Sequence, residues 1–463
     1  MNLADLLHAS AARHAERPAV TDVRSGRSLT YGMLAREAER VDAWLTAQGV
    51  RPGQRIGLLA PNAPTYLPAA FGLLSTGACL VPLATNLTAT ETAQVLSEVD
   101  VNGCLWWSES DGFVFEWTSR DVQGRAELPA LDPAFIRFTS GTTDRSKGVV
   151  LSHQATAERV AAAERVLGFT PDDRILWVLP LAYHFAVTIV AYVKAGAHIL
   201  MCPDTRPGPM LDALRRFEAS VVYASPFHFE RLGNLPPSEP LKSVRLALST
   251  SAPITQVVMD RFESVYAVPV AQAYGIIEAG LPCINTRLDG APATSVGRPV
   301  PGYDVAVFSD DGACLPAGVA GEIGVRGSGL FSAYYSPWRR REQITREGWF
   351  LTGDVGRFDA TGALSLEGRK KSVIFVAGLK FFPEEVEACI NRFPGIQDSR
   401  VVGEPHPRLG QVPRAEIVPG PAGCDLDALR AHCARELSAY KAPVDFTIVP
   451  AIARTPGGKI SRR

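Results

Sequence analysis

Short apolar runs alternate with amphipathic stretches through most of this chain, with few residues between them. That alternation limits the fold more than any other feature. Leu34, Ala35, Ala38, Val41 and Leu45 recur at helical spacing, Arg51-Pro52-Gly53-Gln54 reads as a turn, and 55–60 as a short apolar strand. A helix near 66–74, a strand at 77–82 and a helix at 90–99 continue the series. The pattern resumes with strand 175–179, helix 210–219, strand 220–224, strand 244–248, helix 255–266 and strand 269–274. Such units build parallel sheets covered by helices, because a parallel pair needs a crossover and a helix supplies it compactly. The expected fold class is α/β.

The character changes after about residue 291. Gly and Pro become dense and strand-like runs short, as at 321–326 and 363–366, so a β-rich subdomain is expected over about 291–366. A compact α+β pattern follows Gly368: strand 372–377, helix 383–391, strands 399–402 and 414–418, helix 425–437 and strand 444–449. At 463 residues the chain is also longer than one hydrophobic core usually serves. We therefore expect a large N-terminal domain over 1–368 and a small α+β C-terminal domain over 369–463, with the boundary at Arg369-Lys370-Lys371.

Composition excludes some classes. A net charge of −1 argues against a nucleic-acid binder, which usually carries a strong basic excess. The eight cysteines form no Cys-x-x-Cys pair and read as small buried hydrophobes of a reduced compartment. Met1-Asn2-Leu3-Ala4-Asp5 has no basic n-region and no long apolar run follows, so no signal peptide is expected. The stretch 175–193 is apolar enough to suggest a membrane helix, but Pro180, Tyr183 and His184 interrupt it. It reads instead as a buried strand, a turn, and a core helix after His184. A soluble cytoplasmic protein without a membrane span is the expectation.

Two segments carry chemistry. The first is Phe138-Thr139-Ser140-Gly141-Thr142-Thr143-Asp144-Arg145-Ser146-Lys147-Gly148-Val149. Gly141 and Gly148 permit close backbone approach, the hydroxyls of Thr139, Ser140, Thr142 and Thr143 can donate, and Lys147 adds positive charge. It is not a Walker A loop, since Ser146 stands where the second Gly belongs and Gly148 where Ser or Thr belongs. Alone, the loop is either a phosphate cradle or a solvated Ser/Thr turn. The second segment is Arg454-Thr455-Pro456-Gly457-Gly458-Lys459-Ile460, near the end of the chain.

Together with three further blocks, these segments resemble the adenylate-forming superfamily: acyl-CoA synthetases, aryl-acid ligases, luciferases and peptide-synthetase adenylation domains. Residues 139–148 match the signature Thr-Ser-Gly-Thr-Thr-Gly-x-Pro-Lys-Gly at eight of ten positions, counting the free one. Gln272-Ala273-Tyr274-Gly275-Ile276-Ile277-Glu278 is similar to the Tyr-Gly-x-Thr-Glu block, and Trp349-Phe350-Leu351-Thr352-Gly353-Asp354 to the Thr-Gly-Asp block. Gly368-Arg369-Lys370-Lys371, with Gly378 and Glu384-Glu385-Val386-Glu387, is similar to the hinge block, and Gly458-Lys459-Ile460 to the terminal Gly-Lys block. The five blocks occur in the family order and span nearly the whole chain.

The resemblance implies a role for each matched position. Thr139, Ser140, Gly141, Thr142, Thr143 and Lys147 would hold the β- and γ-phosphates of ATP. Tyr274, followed by Gly275, would pack on adenine, and Asp354, assisted by Arg369, would accept from the ribose hydroxyls. Glu278 would hold Mg²⁺, a hard cation suited to carboxylate and phosphate oxygens. Lys459 would bridge the substrate carboxylate and the α-phosphate. Lys371 would be the hinge of a mobile C-terminal domain, and Gly378 would line a tunnel for the thiol of CoA or phosphopantetheine. The implied reaction is attack of a carboxylate on the α-phosphorus of ATP, then transfer of the acyl group to that thiol. There is no Gly-x-Ser-x-Gly elbow, and none is required.

The acid site is less defined. His184, in Leu179-Pro180-Leu181-Ala182-Tyr183-His184, matches a family block at the acyl pocket; it either gates the site or closes on the carboxylate, or is a satisfied core histidine. Ser225, Ser249, Thr250, Ser251, Gln272 and Ala273 are the other expected walls. They are small and neutral, and 180–190 lacks the Asp that pairs with a substrate ammonium in amino-acid-activating relatives. A small or medium non-amino carboxylic acid is therefore expected. The acceptor is CoA, or alternatively a carrier-protein phosphopantetheine supplied in trans, an amine or another nucleophile; a non-catalytic nucleotide- or acyl-binding descendant is the more distant alternative. Asp144, Ser146 and Ile277 replace Gly, Pro and Thr of the signature, and Thr250-Ser251 replaces a Gly-Gly pair.

Substitution Lys459→Ala is expected to slow adenylate formation on the order of 10²–10³-fold while preserving the fold, the scale for losing one transition-state charge donor. Pyrophosphate exchange within about twofold of the unaltered enzyme would refute this role.

Overall fold

The computed structural model describes residues 1–120, 122–138, 148–286, 291–376, 379–407, 409–421, 423–454 and 460–461. The segments 139–147, 377–378 and 455–459 lie outside it, and with them Thr139 to Lys147, Gly378 and Lys459.

The large part is built on two sheets whose centres are parallel. In the first, Pro18–Asp22, His198–Met201, Arg174–Trp177, Val221–Ala224, Leu246–Ser249 and Val270–Ile276 lie side by side in that order, all parallel. In the second, Pro133–Phe138, Cys79–Leu83, Arg55–Leu59 and Gly103–Ser108 are parallel neighbours. Every residue of Val221–Ala224 and Leu246–Ser249 is buried, the mark of strands covered on both faces. Helices such as Tyr31–Ala47, Tyr66–Ser75 and His153–Leu167 supply that cover; the last starts at Ser152, whose hydroxyl accepts from the Ala155 amide at 3.1 Å.

After Val270–Ile276 the chain reverses into Gly280–Asn285, which pairs antiparallel with it. This gives the sheet a new antiparallel edge. Ser295–Pro299, Leu364–Arg369, Phe350–Phe358, Gly321–Gly327 and Tyr303–Phe308 add to that edge in turn, so the strands expected as a β-rich subdomain extend the first sheet. The small part has its own sheet, formed by Leu379–Phe381, Ile374–Val376, Gly410–Pro419, Ile396–His406 and Asp445–Ile448. Its own core holds Val386, Ile390, Val401, Ile417 and Leu429.

One local expectation fails. The helix expected after His184 begins at Leu181, runs as a π-helix over Phe185–Ile189, and ends as Val190–Ala195. Extended Pro180 starts it, since a ring lacking N–H suits a helix entrance, and the Thr188 hydroxyl donates to the His184 carbonyl at 2.8 Å. No helix among the described residues is long and apolar enough to cross a membrane.

A buried arginine fastens the reversal of the sheet. Arg159, on the helix His153–Leu167, is 1% exposed. Its Nη1 donates to the Ile277 carbonyl at 3.0 Å, its Nη2 to those of Glu278 (3.2 Å) and Gly329 (2.6 Å), and its Nε to Gly329 (3.0 Å). Gly280, at φ +81°, and Gly329 leave room for it; a Cβ at either would stand 3.1 or 3.0 Å from the Arg159 side chain. Substitution Arg159→Met should cost at least about 2 kcal/mol, because it leaves the Ile277 and Gly329 carbonyls without a donor among the described residues, at about 1–3 kcal/mol for each such buried carbonyl. A chemical-denaturation midpoint equal to that of the unaltered protein would overturn this assignment.

Candidate active site

The carboxyl ends of the parallel strands and the antiparallel edge open together onto one cleft of about 2470 Å³. The small part covers it from the other side through residues including Glu384, Lys441 and Ile452. Such ends are where open α/β sheets bind ligands.

On one wall, Phe350–Phe358 and Leu364–Arg369 pair so that Asp354 stands directly opposite Arg369. Arg369 Nε lies 2.8 Å from Asp354 Oδ1, and the Tyr274 hydroxyl donates to Asp354 Oδ2 at 2.6 Å. The Asp354 amide donates to Thr352 Oγ1 at 3.1 Å, and that hydroxyl donates to the Ile323 carbonyl at 2.9 Å. Burial, then the Asp354 charge, push the Tyr274 phenol well above its usual range, so it remains a protonated donor. Asp354 is only 7% exposed, yet each oxygen keeps a lone pair beyond the bond it accepts.

The tight turn after Ile276 carries Glu278. Its Oε1 accepts from the Tyr334 hydroxyl at 2.9 Å, and its backbone carbonyl accepts from Arg159 and from the Phe331 amide at 2.7 Å. The carboxylate lines the cleft with Tyr274 and Gly275. A single carboxylate with one oxygen that accepts no bond among the described residues is a donor set that fits Mg²⁺, which takes one or two carboxylates and completes its shell with phosphate and water.

The same cleft is lined by His184, Ser225, Thr250, Ser251, Gln272 and Ala273, which the fold brings together. Ser249 is not among the lining residues: it is 1% exposed, and its hydroxyl has no partner among the described residues. It sits within the strand Leu246–Ser249, covered on both faces. The His184 ring packs edge-on to Trp177 with centroids 5.8 Å apart. The Gln272 amide donates to the Ala293 carbonyl at 2.5 Å and the Ser295 carbonyl at 3.2 Å, which fixes its orientation. Ser251 adopts φ +75°, the left-handed region that favours glycine, at a position where the resembled signature carries Gly.

Sequence reasoning missed several contributors. Tyr334 orients the Glu278 carboxylate, Thr352 holds the Asp354 backbone amide, and His228 holds Ser225, the two side chains lying 2.8 Å apart at Nδ1 and Oγ. Arg137 also lines the cleft, and its signal was visible as one charge in the apolar run Pro133–Phe138. Lys370, beside the expected hinge residue Lys371, donates to Glu322 and lies 2.9 Å from Asp310. Arg454 and Ile460, on either side of 455–459, both line the cleft and pair as an isolated antiparallel bridge.

Residues 7–335 match a family model described as AMP-binding enzyme, and residues 385–459 one described as AMP-binding enzyme C-terminal domain. The chain is 29% identical to a sulfoacetate–CoA ligase of Cupriavidus necator, over 99% of this chain and 96% of that protein. It is 28% identical to a feruloyl-CoA synthase of an Amycolatopsis species, over 98% and 94%. The ATP-bound structure of MatB from Rhodopseudomonas palustris superimposes with a TM-score of 0.89 at 25% identity, covering 100% of this chain and 97% of that one. An amide bond synthetase, McbA of Marinactinospora thermotolerans, gives 0.84 at 25% identity, covering 100% and 98%.

Burial, and then Arg231, push His228 down to about 4, below the ordinary histidine value of about 6.5. The unfolded chain therefore takes up this proton first as the pH falls. Its stabilising effect is full above about pH 6.5 and is lost progressively towards pH 4. In His228→Asn the fall in apparent melting temperature between pH 7 and pH 5 should be smaller than in the unaltered protein; equal falls would exclude His228 as a contributor.

Proposed function

The chain belongs to the AMP-binding enzyme family, and from that premise we propose that it is an AMP-forming acid–thiol ligase. It activates a small or medium carboxylic acid without an α-amino group as the acyl-adenylate and passes the acyl group to CoA. The observation that carries this reading is the wall on which Tyr274 and Arg369 hold Asp354 while Glu278 faces the same cleft.

In this reading Asp354 accepts from the ribose hydroxyls with its remaining lone pairs. Arg369 and Tyr274 keep the carboxylate from turning, so little ordering is left for the moment of binding. Tyr274 offers its ring face to adenine. Glu278, oriented by Tyr334, would hold Mg²⁺, which when bound supplies neutralising charge to the triphosphate. Lys147 and the hydroxyls of Thr139, Ser140, Thr142 and Thr143 would take the outer phosphates. Lys459 would stand between two anions, the acid's carboxylate and the α-phosphate, and stabilise the charge that grows as they join. Nucleotidyl transfer is mainly positioning and charge neutralisation, so no protein nucleophile is needed.

The same active site would serve the second step after the small part turns about Lys371. Residues 369–371 link the last strand of the large sheet to the first strands of the small one, which suits a hinge. Lys459 would then withdraw and Gly378 would border the path of the thiol. A second reading keeps adenylation and changes the acceptor to an amine or a carrier-protein thiol; the likeness to an amide bond synthetase favours it.

Pyrophosphate exchange against a panel of carboxylic acids should depend on both acid and Mg²⁺, and adding CoA should release AMP. Substitution Asp354→Asn should raise KM for ATP at least about tenfold, the scale for one charge-assisted hydrogen bond, with little change in KM for the acid. AMP release only with an amine or a loaded carrier would favour the second reading. An Asp354→Asn enzyme with unchanged KM for ATP would remove that residue from the nucleotide site.

A further inference from the structure

We propose that Arg137 is a specificity-determining residue of the acid site, and that the activated acid carries a second anionic group, a carboxylate or sulfonate, which Arg137 binds. This rests on the ligase reading above and narrows its substrate class.

Arg137 is the one charged residue in the strand Pro133–Phe138. It is 9% exposed and lines the cleft. Among the described residues its guanidinium makes one hydrogen bond, to the Tyr183 carbonyl, and no carboxylate lies within ion-pair distance. The other buried arginine of this region behaves differently: Arg159 gives four hydrogen bonds to three carbonyls. Arg159 is therefore accounted for as a structural pin, and Arg137 is not. A guanidinium has five donors in a planar fork that matches a carboxylate or sulfonate. Holding such a charge out of water without a partner is costly, and an anionic ligand offsets that cost.

The surroundings favour an anion in this part of the cleft. The Tyr66 hydroxyl is buried without a partner among the described residues, and the Arg137 charge acts on it. Two buried donors thus share one region with a single carbonyl acceptor, and the one carboxylate whose charge acts on Arg137, that of Glu278, forms no ion pair with it among the described residues. Burial, then the Arg159 charge, hold the Arg137 guanidinium down to about 10, which still leaves it protonated at neutral pH. Its bond to Tyr183 ties it to the turn that carries His184, whereas the wall proposed for ribose is formed by Tyr274, Asp354 and Arg369. An alkyl or plain aromatic acid would desolvate the charge further and return nothing for it.

The test is pyrophosphate exchange with acids matched in length, propionate against malonate and butyrate against succinate, with sulfoacetate as the sulfonate. The dianions should be preferred at least about tenfold in kcat/KM. Substitution Arg137→Met should lower kcat/KM for the dianions on the order of 10²-fold, the scale for truncating one partner of a buried hydrogen-bonded charge pair, and leave the monoanions within about threefold. Substitution Arg137→Lys, which keeps the charge and loses the fork, should give a smaller loss confined to the dianions; it also serves if Arg137→Met does not fold. Equal or better use of the monoanions by the unaltered enzyme would overturn the proposal. So would variants that lose both classes together, because Arg137 would then serve the reacting carboxylate, a phosphate or the fold. No exchange with any acid would overturn the ligase reading, and this inference with it.

Discussion

The site depends on where the first sheet reverses. A parallel strand that ends at Ile276 could continue into a helix, as its neighbours do. Here Arg159 reaches across from the helix His153–Leu167 and takes the carbonyls of Ile277 and Glu278, with Gly329 from a distant loop. The Ile277 and Gly329 carbonyls have no other donor among the described residues, whereas the Glu278 carbonyl also accepts from the Phe331 amide. The guanidinium donates to all three at one point, and burial lowers its pKa. Once the turn is fixed, Glu278 faces the cleft and Gly280–Asn285 offers the edge on which the antiparallel strands assemble.

The wall proposed for the nucleotide follows from that edge. Asp354 and Arg369 are fifteen positions apart in sequence order but directly opposite across the pair Phe350–Phe358 and Leu364–Arg369. Pairing of opposite charges across adjacent strands sets their orientation with little loss of side-chain freedom. Tyr274 arrives from the parallel part of the same sheet and closes the arrangement with a hydrogen bond to the second oxygen. The ion pair is thus part of the sheet's own register, so the group that would receive the ribose is held by the fold itself.

The part of the cleft proposed for the acid is built differently. Its walls are mostly small side chains near the ends of parallel strands, and two residues, Ser251 and Arg137, carry evident constraint. Ser251 occupies left-handed backbone space that a glycine would enter without cost, and such a residue typically costs on the order of 1–3 kcal/mol. Arg137 is buried with one described bond. Departures from local optimum of this kind cluster where a ligand is bound. They give this part of the cleft a cationic and constrained character that the neutral residues Thr250, Gln272 and Ala273 do not suggest.

The α/β class was legible because a strand covered on both faces must read as a continuous apolar run, as 220–224 and 244–248 do. The blocks around Tyr274, Glu278, Asp354 and Arg369 were legible because each is a short contiguous pattern. Ser249 was misjudged because sequence neighbours of a pocket residue look alike: Thr250 and Ser251, past the end of the strand, line the cleft, while Ser249 still lies in a strand covered on both faces. The helix start at Leu181 was missed because a proline signals a break, and only the packing around it decides which side continues. What the chain determines by itself is the order of elements and the chemical type of each site residue, since periodicity and motif are local. Which residues meet was decided by tertiary structure: Arg159 with the Glu278 turn, Tyr334 with Glu278, His228 with Ser225, Arg137 with the turn bearing His184. Those meetings depend on strand register and on buried polar groups finding partners far along the chain, and no local pattern encodes either.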